Sequence, residues 1–196
     1  MVVTGQLQPD SVATADRRTL RIALAANIAM FVVGVIGWRV AHSTALLADA
    51  FDMLADATGY GVAHWAVGRS KRDQQTAARW SAVMLILLGL SIIGEVAHRW
   101  FRPEEPAGAL IMGFAALSLL VNGSVLRMLS KYRDAPDPHL RATWIDTRAD
   151  VFVNLGVLVS GAAIALTGYQ VIDLLTGAAI SIFVIHEGIE IWRDDD

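Results

Sequence analysis

Cysteine is absent from this chain of 196 residues, and charge is scarce. The lack of cysteine excludes disulfide bonds and thiolate metal ligands. Only 18% of the residues are charged, whereas a soluble domain of this length has about a quarter. A cleavable signal peptide is not expected, because residues 1–16 are polar and the first apolar run lacks a small-residue cleavage site followed by a soluble domain. An ordinary soluble or disulfide-bonded secreted domain is therefore not expected.

The sequence contains long apolar runs. About 20 apolar residues cross a bilayer as a helix, and six segments qualify: 20–40, 44–67, 78–100, 107–129, 140–166 and 171–192. The sequence therefore predicts an all-α membrane protein with six transmembrane helices. Residues 1–19 are expected to form a cytoplasmic segment, residues 20–192 the transmembrane domain, and residues 193–196 a short acidic tail with no cytoplasmic domain.

The basic residues predict the orientation. If the N-terminus is cytoplasmic, twelve Lys and Arg residues fall in inside segments, while only Arg39, Arg99 and Arg102 fall outside. Such a bias is typical of cytoplasmic loops. With six helices, both termini are expected to be cytoplasmic.

Two predicted helices carry pairs of aspartates four residues apart. Asp52 and Asp56 lie in the second span, and Asp146 and Asp150 lie in the fifth. Residues at this spacing share one face of a helix. An ionised aspartate at the centre of a membrane helix costs about 2.5 to 3.5 kcal/mol, and like charges on one face repel each other. Protons or a cation must neutralise them. If the two helices face each other, the four carboxylates form an oxygen cage for a divalent metal.

Structural roles that involve no metal stay open for each of these residues. The aspartates could be solvated near helix ends, and Asp49 could cap or hydrogen-bond locally near the start of its helix. Arg148 could pair with Asp146 or Asp150, although a residue two positions away points to another face. Asp49, Asn154, Asn27 and Glu95 could support the metal site or line a pathway, with interhelical hydrogen bonding as the alternative for the asparagines.

Three stretches form a more specific combination. They are residues 43–50 followed by Asp52 and Asp56, residues 94–95 followed by Arg99, Pro103 and Glu104, and residues 149–151 followed by Asn154 and Gly156. With these stretches, the chain resembles the transmembrane domain of the cation diffusion facilitator (CDF) family over nearly its whole length.

The resemblance implies a transporter, not an enzyme, that works by alternating access in a bacterial inner membrane. It implies export of a divalent metal as the substrate in exchange for protons, usually as a homodimer, with no cofactor and no nucleic acid. The metal positions of the family correspond to Asp52, Asp56, Asp146 and Asp150 here.

Two departures from the family pattern bear on these expectations. Many bacterial members have histidine where this chain has Asp146, and oxygen ligands favour Mn²⁺, Mg²⁺ or Fe²⁺ more than imidazole does. Because zinc and cadmium are the commonest family substrates, we favour Zn²⁺ or Cd²⁺, with Mn²⁺ and Fe²⁺ as alternatives. The chain also stops before the family's cytoplasmic domain, so a dimer is expected to form through the membrane helices.

Two rival functions are a passive cation channel and an intramembrane aspartyl protease. A protease of this kind also uses two membrane aspartates as acid and base. The Gly-x-Gly-Asp stretch that such enzymes contain is missing, because Gly59-Tyr60-Gly61 is followed by Val62. The sequence does not separate a channel from a carrier.

Overall fold

The computed structural model describes residues 9–66, 71–134 and 138–194. Within these ranges the chain forms α-helices, one short 3₁₀ helix at Ser130–Tyr132 and no strand. The α-helices are α1 (Pro9–Ala41), α2 (Thr44–Ala66), α3 (Lys71–Phe101), α4 (Gly108–Leu129), α5 (Pro138–Thr167) and α6 (Gln170–Asp194). The predicted all-α fold is confirmed, and each predicted span corresponds to one helix.

Proline positions explain where helices begin and where the chain turns. Pro9 and Pro138 are the first residues of α1 and α5. A backbone N–H group at this position has no acceptor within the helix, so proline, which lacks the group, is well tolerated there. Pro103 and Pro106 lie in the connection between α3 and α4. Helices α1 and α3 start earlier than their apolar spans, because the polar residues before each span continue the same helix.

Five segments of the described chain are long and apolar enough to cross a membrane. They are Arg17–Ala41, Ala82–Phe101, Gly108–Tyr132, Thr147–Thr167 and Gln170–Arg193. Helix α2 is not among them, because its aspartates interrupt the apolar sequence. The outer faces of the helices fit a lipid environment: Ile28, Val32, Ile36 and Val40 form an exposed stripe along α1. The chain is an integral membrane protein that crosses the bilayer several times.

Helix α2 occupies the centre of the bundle. It contacts each of the other five α-helices, and residues 43–50 are all buried. The first half of the helix is enclosed by protein, and Gly59 in its second half is exposed. Its aspartates are therefore surrounded by other helices instead of lipid, which is where ionisable residues inside a membrane are tolerated.

The two ends of the bundle differ in their connections. At one end, here called the hairpin end, the α1–α2, α3–α4 and α5–α6 connections lie together; the other is the terminal end. The N–H group of Ala107, just before α4, donates a hydrogen bond to the carbonyl of Ala41 at the end of α1, at 2.8 Å. Two connections turn through left-handed backbone, at His42 with a φ of 50° and at Gly168 with a φ of 70°.

Candidate functional site

Carboxyl groups from α2 and α5 meet inside the bundle. The carboxyl group of Asp150 in α5 lies at hydrogen-bonding distance from that of Asp56 in α2. Asp150 is only 4% exposed, and its Oδ2 atom has no N–H or hydroxyl donor among the described residues. A hydrogen bond between two carboxyl groups needs a proton on one of them. The contact therefore requires either a shared proton or a bound cation.

Two further acidic side chains act on Asp150. Asp52, one turn before Asp56 in α2, and Glu187 in α6 both lie near enough to repel its negative charge. Asp52 is 4% exposed, whereas Asp56 is half-buried. Three helices thus direct carboxyl groups toward one region of low dielectric constant, where like charges repel most strongly.

A hydroxyl pair joins α2 and α5 one turn nearer the terminal end. The hydroxyl groups of Tyr60 and Thr147 are hydrogen-bonded at 2.7 Å, and both side chains are buried. Tyr60 follows Asp56 by four residues, and Thr147 precedes Asp150 by three. The pair holds the two antiparallel helices in a register that brings the carboxyl groups together.

The fourth predicted ligand lies partly outside the description. Asp146 belongs to α5, one turn before Asp150, but its side chain lies outside the described residues. Among the side chains that are described, no three His, Asp or Glu residues stand close enough together to hold a metal ion as they are. The structure thus places Asp56 and Asp150 in contact with Asp52 nearby, a set here called the carboxyl cluster, and the Asp146 carboxylate lies outside the described side chains.

Three other predicted residues are buried polar groups in the bundle. Asp49 is 2% exposed and accepts a hydrogen bond from the hydroxyl of Ser118 in α4 at 3.1 Å. Asn154 is fully buried one turn after Asp150, and neither of its side-chain polar atoms has a partner among the described residues. Asn27 donates to the carbonyl of Ala23 in its own helix at 3.1 Å. Asp49 therefore links α2 to α4.

The remaining predicted residue, Glu95, lies at the hairpin end. It accepts a hydrogen bond from Arg99 Nε at 2.7 Å, and Trp38 Nε1 lies 3.4 Å from the same oxygen. The buried Arg99 guanidinium also donates to the carbonyl of His42 and lies 3.6 Å from Glu104. These contacts hold α1 and α3 together at the hairpin end.

The connection between α3 and α4 adds a solvent-exposed pair to this network. His42 Nδ1 lies 2.9 Å from Glu104 Oε2. The hydrogen bond from His42 lowers the pKa of Glu104. Both side chains are about half exposed, so water screens most of their attraction.

Four residues of this arrangement were not predicted from the sequence: Glu187, Tyr60, Thr147 and Ser118. Tyr60 extends the Asp52 and Asp56 face by one turn, which the four-residue spacing already indicates, and Thr147 lies within the turn between Asp146 and Asp150. Glu187 is an acidic residue in the last apolar run, and its presence there is also readable from the sequence. Ser118 has no such signal, because serine is common in packed membrane helices.

The residues can hold a hard cation or protons. Carboxylate oxygens are suited to divalent metals, and a cluster of carboxyl groups binds protons when no metal is present. Because the cluster is buried between helices, binding and release require the helices to move. Such coupling between charge neutralisation and helix motion is what a carrier needs.

Comparison with known proteins identifies the family to which the chain belongs. Residues 20–195 match the family model described as the cation efflux transmembrane domain. The zinc transporter ZitB of Yersinia pestis is 28% identical over 91% of this chain and 60% of its own length. The metal cation efflux system protein CzcD of Cupriavidus metallidurans is 25% identical over 87% of this chain and 57% of its own length.

A third relative, the cadmium, cobalt and zinc/H(+)-K(+) antiporter of Bacillus subtilis, is 24% identical over 92% of this chain and 62% of its own length. The chain thus spans about three fifths of the length of these relatives. The family and these relatives are transporters, not enzymes, and their metals are substrates instead of cofactors. Because the family model covers nearly the whole sequence, the chain belongs to the cation efflux family and contains its transmembrane domain.

Proposed function

We propose that this protein exports a divalent transition metal from the cytoplasm in exchange for protons, and that Asp52, Asp56, Asp146 and Asp150 hold the metal. The observation that supports this proposal most directly is the buried contact between Asp56 and Asp150. Two carboxyl groups from non-adjacent helices meet there in a position that is unfavourable unless a proton or cation is present.

Exchange follows from the charge balance of the cluster. Without metal, protons neutralise part of the negative charge, because several carboxylates cannot remain ionised together in a medium of low dielectric constant. A divalent ion entering from the cytoplasm displaces those protons. When the helices rearrange and the site opens to the other side, protons displace the ion. A pH gradient that is acidic outside then drives export.

Zinc and cadmium are the proposed substrates, with manganese and iron(II) as the alternatives. The relatives named as zinc, cadmium and cobalt transporters support the first pair. The all-carboxylate ligand set supports the second pair, because oxygen ligands without imidazole suit harder ions.

The buried polar residues beyond the carboxyl cluster are proposed to support the metal site or to line the path of the ion. Asn154 lies one turn from Asp150 in the direction of the hairpin end, and Asp49 lies one turn from Asp52 in the same direction. Together they extend a polar surface from the cluster toward the hairpin end. Asn27 and Glu95 are weaker candidates, since their observed partners are the carbonyl of Ala23 and the side chain of Arg99.

The proposed setting is a bacterial inner membrane with the terminal end in the cytoplasm. The excess of Lys and Arg in the segments at that end supports the orientation, and the bacterial relatives support the location. A homodimer formed through the membrane helices is part of the same proposal.

Metal uptake into everted membrane vesicles tests the function. We expect zinc accumulation when the vesicle interior is acidic and its loss when an ionophore abolishes the pH gradient. Asp150→Asn is expected to lower the rate at least tenfold. Asp134→Asn, which changes an exposed aspartate beyond the 3₁₀ helix, is the matched control and is expected to transport as the parent does.

Other outcomes would identify the rival functions. Flux that is independent of the pH gradient and does not saturate with metal would favour a passive channel. Full transport by Asp150→Asn would show that the carboxyl cluster is not the metal site.

A further inference from the structure

We propose that Asp173 of α6 is a positioning residue that joins the N-terminus of α2 to α6 throughout the transport cycle, so that α2 tilts about this point instead of sliding. The proposal rests on the proposed function, because it describes how the helix that carries Asp52 and Asp56 moves. Asp173 is 23 residues or more from every proposed metal ligand in the sequence, and it lies at the hairpin end.

The carboxylate of Asp173 receives hydrogen bonds from the start of α2. The hydroxyl of Ser43 donates to its Oδ1 atom at 2.5 Å, the N–H of Thr44 donates to Oδ2 at 2.6 Å, and the N–H of Ala45 lies 3.3 Å from Oδ1. The first N–H groups of a helix have no acceptor within the helix. Here a neighbouring helix supplies that acceptor.

Electrostatics favour the same contact. A carboxylate at a helix N-terminus meets the positive end of the helix dipole, and Arg99 lies near enough to attract Asp173 as well. Asp173 is only 1% exposed, so separation from α2 would leave a buried charge without its donors. Such a loss is far more costly than breaking an exposed pair.

Close backbone packing reinforces the joint one turn further along α6. A Cβ atom at Gly177 would lie 3.0 Å from Cγ2 of Thr44 and 3.1 Å from the carbonyl carbon and oxygen of Thr44. Helix α6 therefore meets the first residue of α2 through both Asp173 and Gly177. Two contacts on successive turns of one helix fix the axial position of the other.

The position of the joint determines how far the carboxyl cluster lies from the point about which α2 tilts. Asp52 and Asp56 are eight and twelve residues beyond Thr44, which a rise of about 1.5 Å per residue places about 12 and 18 Å away. Tilting α2 by about 10° would then move the Asp56 position by roughly 3 Å. A small rotation at the hairpin end is enough to open the contact between Asp56 and Asp150.

A reversible disulfide tests whether the joint stays closed. Because the chain has no cysteine, Thr44→Cys with Gly177→Cys introduces a single pair at two positions that are in contact, and non-reducing electrophoresis after cleavage between the helices verifies that the disulfide has formed. The purified protein is reconstituted into liposomes, oxidised, and assayed for zinc uptake driven by a pH gradient. We expect the oxidised protein to keep more than half of the rate of the reduced protein. A rate that falls below half and recovers on reduction would overturn the proposal.

The two single-cysteine variants, oxidised in the same way, control for damage by the oxidant. Asp173→Ala provides an independent test. We expect its maximal transport rate to fall at least tenfold, while the half-saturating zinc concentration changes less than threefold. An unchanged rate, or a loss that appears only in the half-saturating concentration, would contradict a positioning role. Asp173→Asn, which keeps the shape and one acceptor oxygen, is expected to lie between Asp173→Ala and the parent.

Amide hydrogen exchange separates failure of this proposal from failure of the proposed function. The N–H groups of Thr44 and Ala45 are expected to exchange at least tenfold faster in Asp173→Ala than in the parent, and this requires no transport. Equal exchange in the two proteins would overturn the joint even if zinc export is confirmed. If exchange is faster in Asp173→Ala than in the parent but the parent transports no metal, the proposed joint is supported and the proposed function is refuted.

Discussion

At the scale of single residues, Asp150 shows the strongest conflict between charge and burial. It is almost fully buried, it touches Asp56, and Asp52 and Glu187 act on it as well. Asparagine has nearly the same shape and no charge. Replacing Asp150 therefore removes repulsion and a proposed metal ligand at the same time, and these two losses are expected to have opposite effects on stability.

We expect Asp150→Asn without metal to melt at the same temperature as the parent or higher. With zinc, the parent is expected to gain about 2.7 kcal/mol at a concentration of about one hundred times Kd, and the variant is expected to lose this gain. Thermal unfolding in detergent with and without zinc measures both effects. The exposed Asp134→Asn variant serves as the control, and a zinc-induced rise in Asp150→Asn equal to that of the parent would contradict the assignment.

The two glutamates that meet Arg99 are expected to differ in their contribution to stability. Glu95 is 22% exposed and lies 2.7 Å from a buried guanidinium, whereas Glu104 is 50% exposed and lies 3.6 Å away. Removing one partner of a buried pair costs about 3 to 5 kcal/mol, whereas an exposed pair contributes about 1 kcal/mol or less. We expect Glu95→Gln to lower the melting temperature much more than Glu104→Gln, and the reverse order would refute this view of the network.

The contribution of Glu104 should also depend on pH. Its folded-state pKa is lowered by the hydrogen bond from His42. The stabilisation is therefore fully present above the ordinary pKa of glutamate and is lost as the pH falls through the lowered value. The difference between the parent and Glu104→Gln is expected to disappear in strongly acidic buffer.

At the scale of helices, hydrophobic run length predicted all six elements but not all of their ends. The spans around residues 107–129 and 171–192 agree closely with α4 and α6, because a connection containing prolines or a glycine terminates each run. Helices α1 and α3 start well before their spans, since hydropathy marks where a helix meets lipid and not where it starts. Helix α2 carries three aspartates, and its central position explains how it tolerates them.

Close packing between α4 and α5 gives a prediction at this scale. A Cβ atom at Gly108 would lie 2.4 Å from the backbone nitrogen of Ala165 and 2.6 Å from the carbonyl oxygen of Gly161, whereas one at Gly113 would meet nothing within 4 Å. Overpacking against backbone costs about 1 to 3 kcal/mol. Gly108→Ala is expected to lower the melting temperature, and Gly113→Ala in the same helix is not. Equal melting temperatures for the two variants would contradict this packing.

At the scale of the whole molecule, the sequence predicted that α2 and α5 both contribute to the candidate site. It did not predict all of the residues that surround the site. Spacing of four residues identified the acidic faces of α2 and α5, and the structure brings Asp56 and Asp150 into contact. Spacing within one helix contains no information on which third helix packs against it. The proximity of Glu187, the bond between Ser118 and Asp49, and the joint at Asp173 all depend on tertiary packing, so they could not be predicted.

The orientation of the molecule is testable because the chain has no cysteine. We expect Glu105→Cys, in the α3–α4 connection, to react with a membrane-impermeant maleimide in intact cells. Asp134→Cys, beyond α4, is expected to react only after the membrane is opened. The opposite labelling pattern would invert the proposed direction of transport.

The connection between α1 and α2 is only two residues long, His42 and Ser43. A linker this short cannot stretch, and α1 packs along α2, with Gly34 against Ala50, so the proposed tilt of α2 is expected to carry α1 with it. Because α1 exposes Ile28, Val32, Ile36 and Val40, bilayer thickness is expected to act on the same proposed movement. The proposed transport is therefore expected to depend on the lipid composition of the membrane.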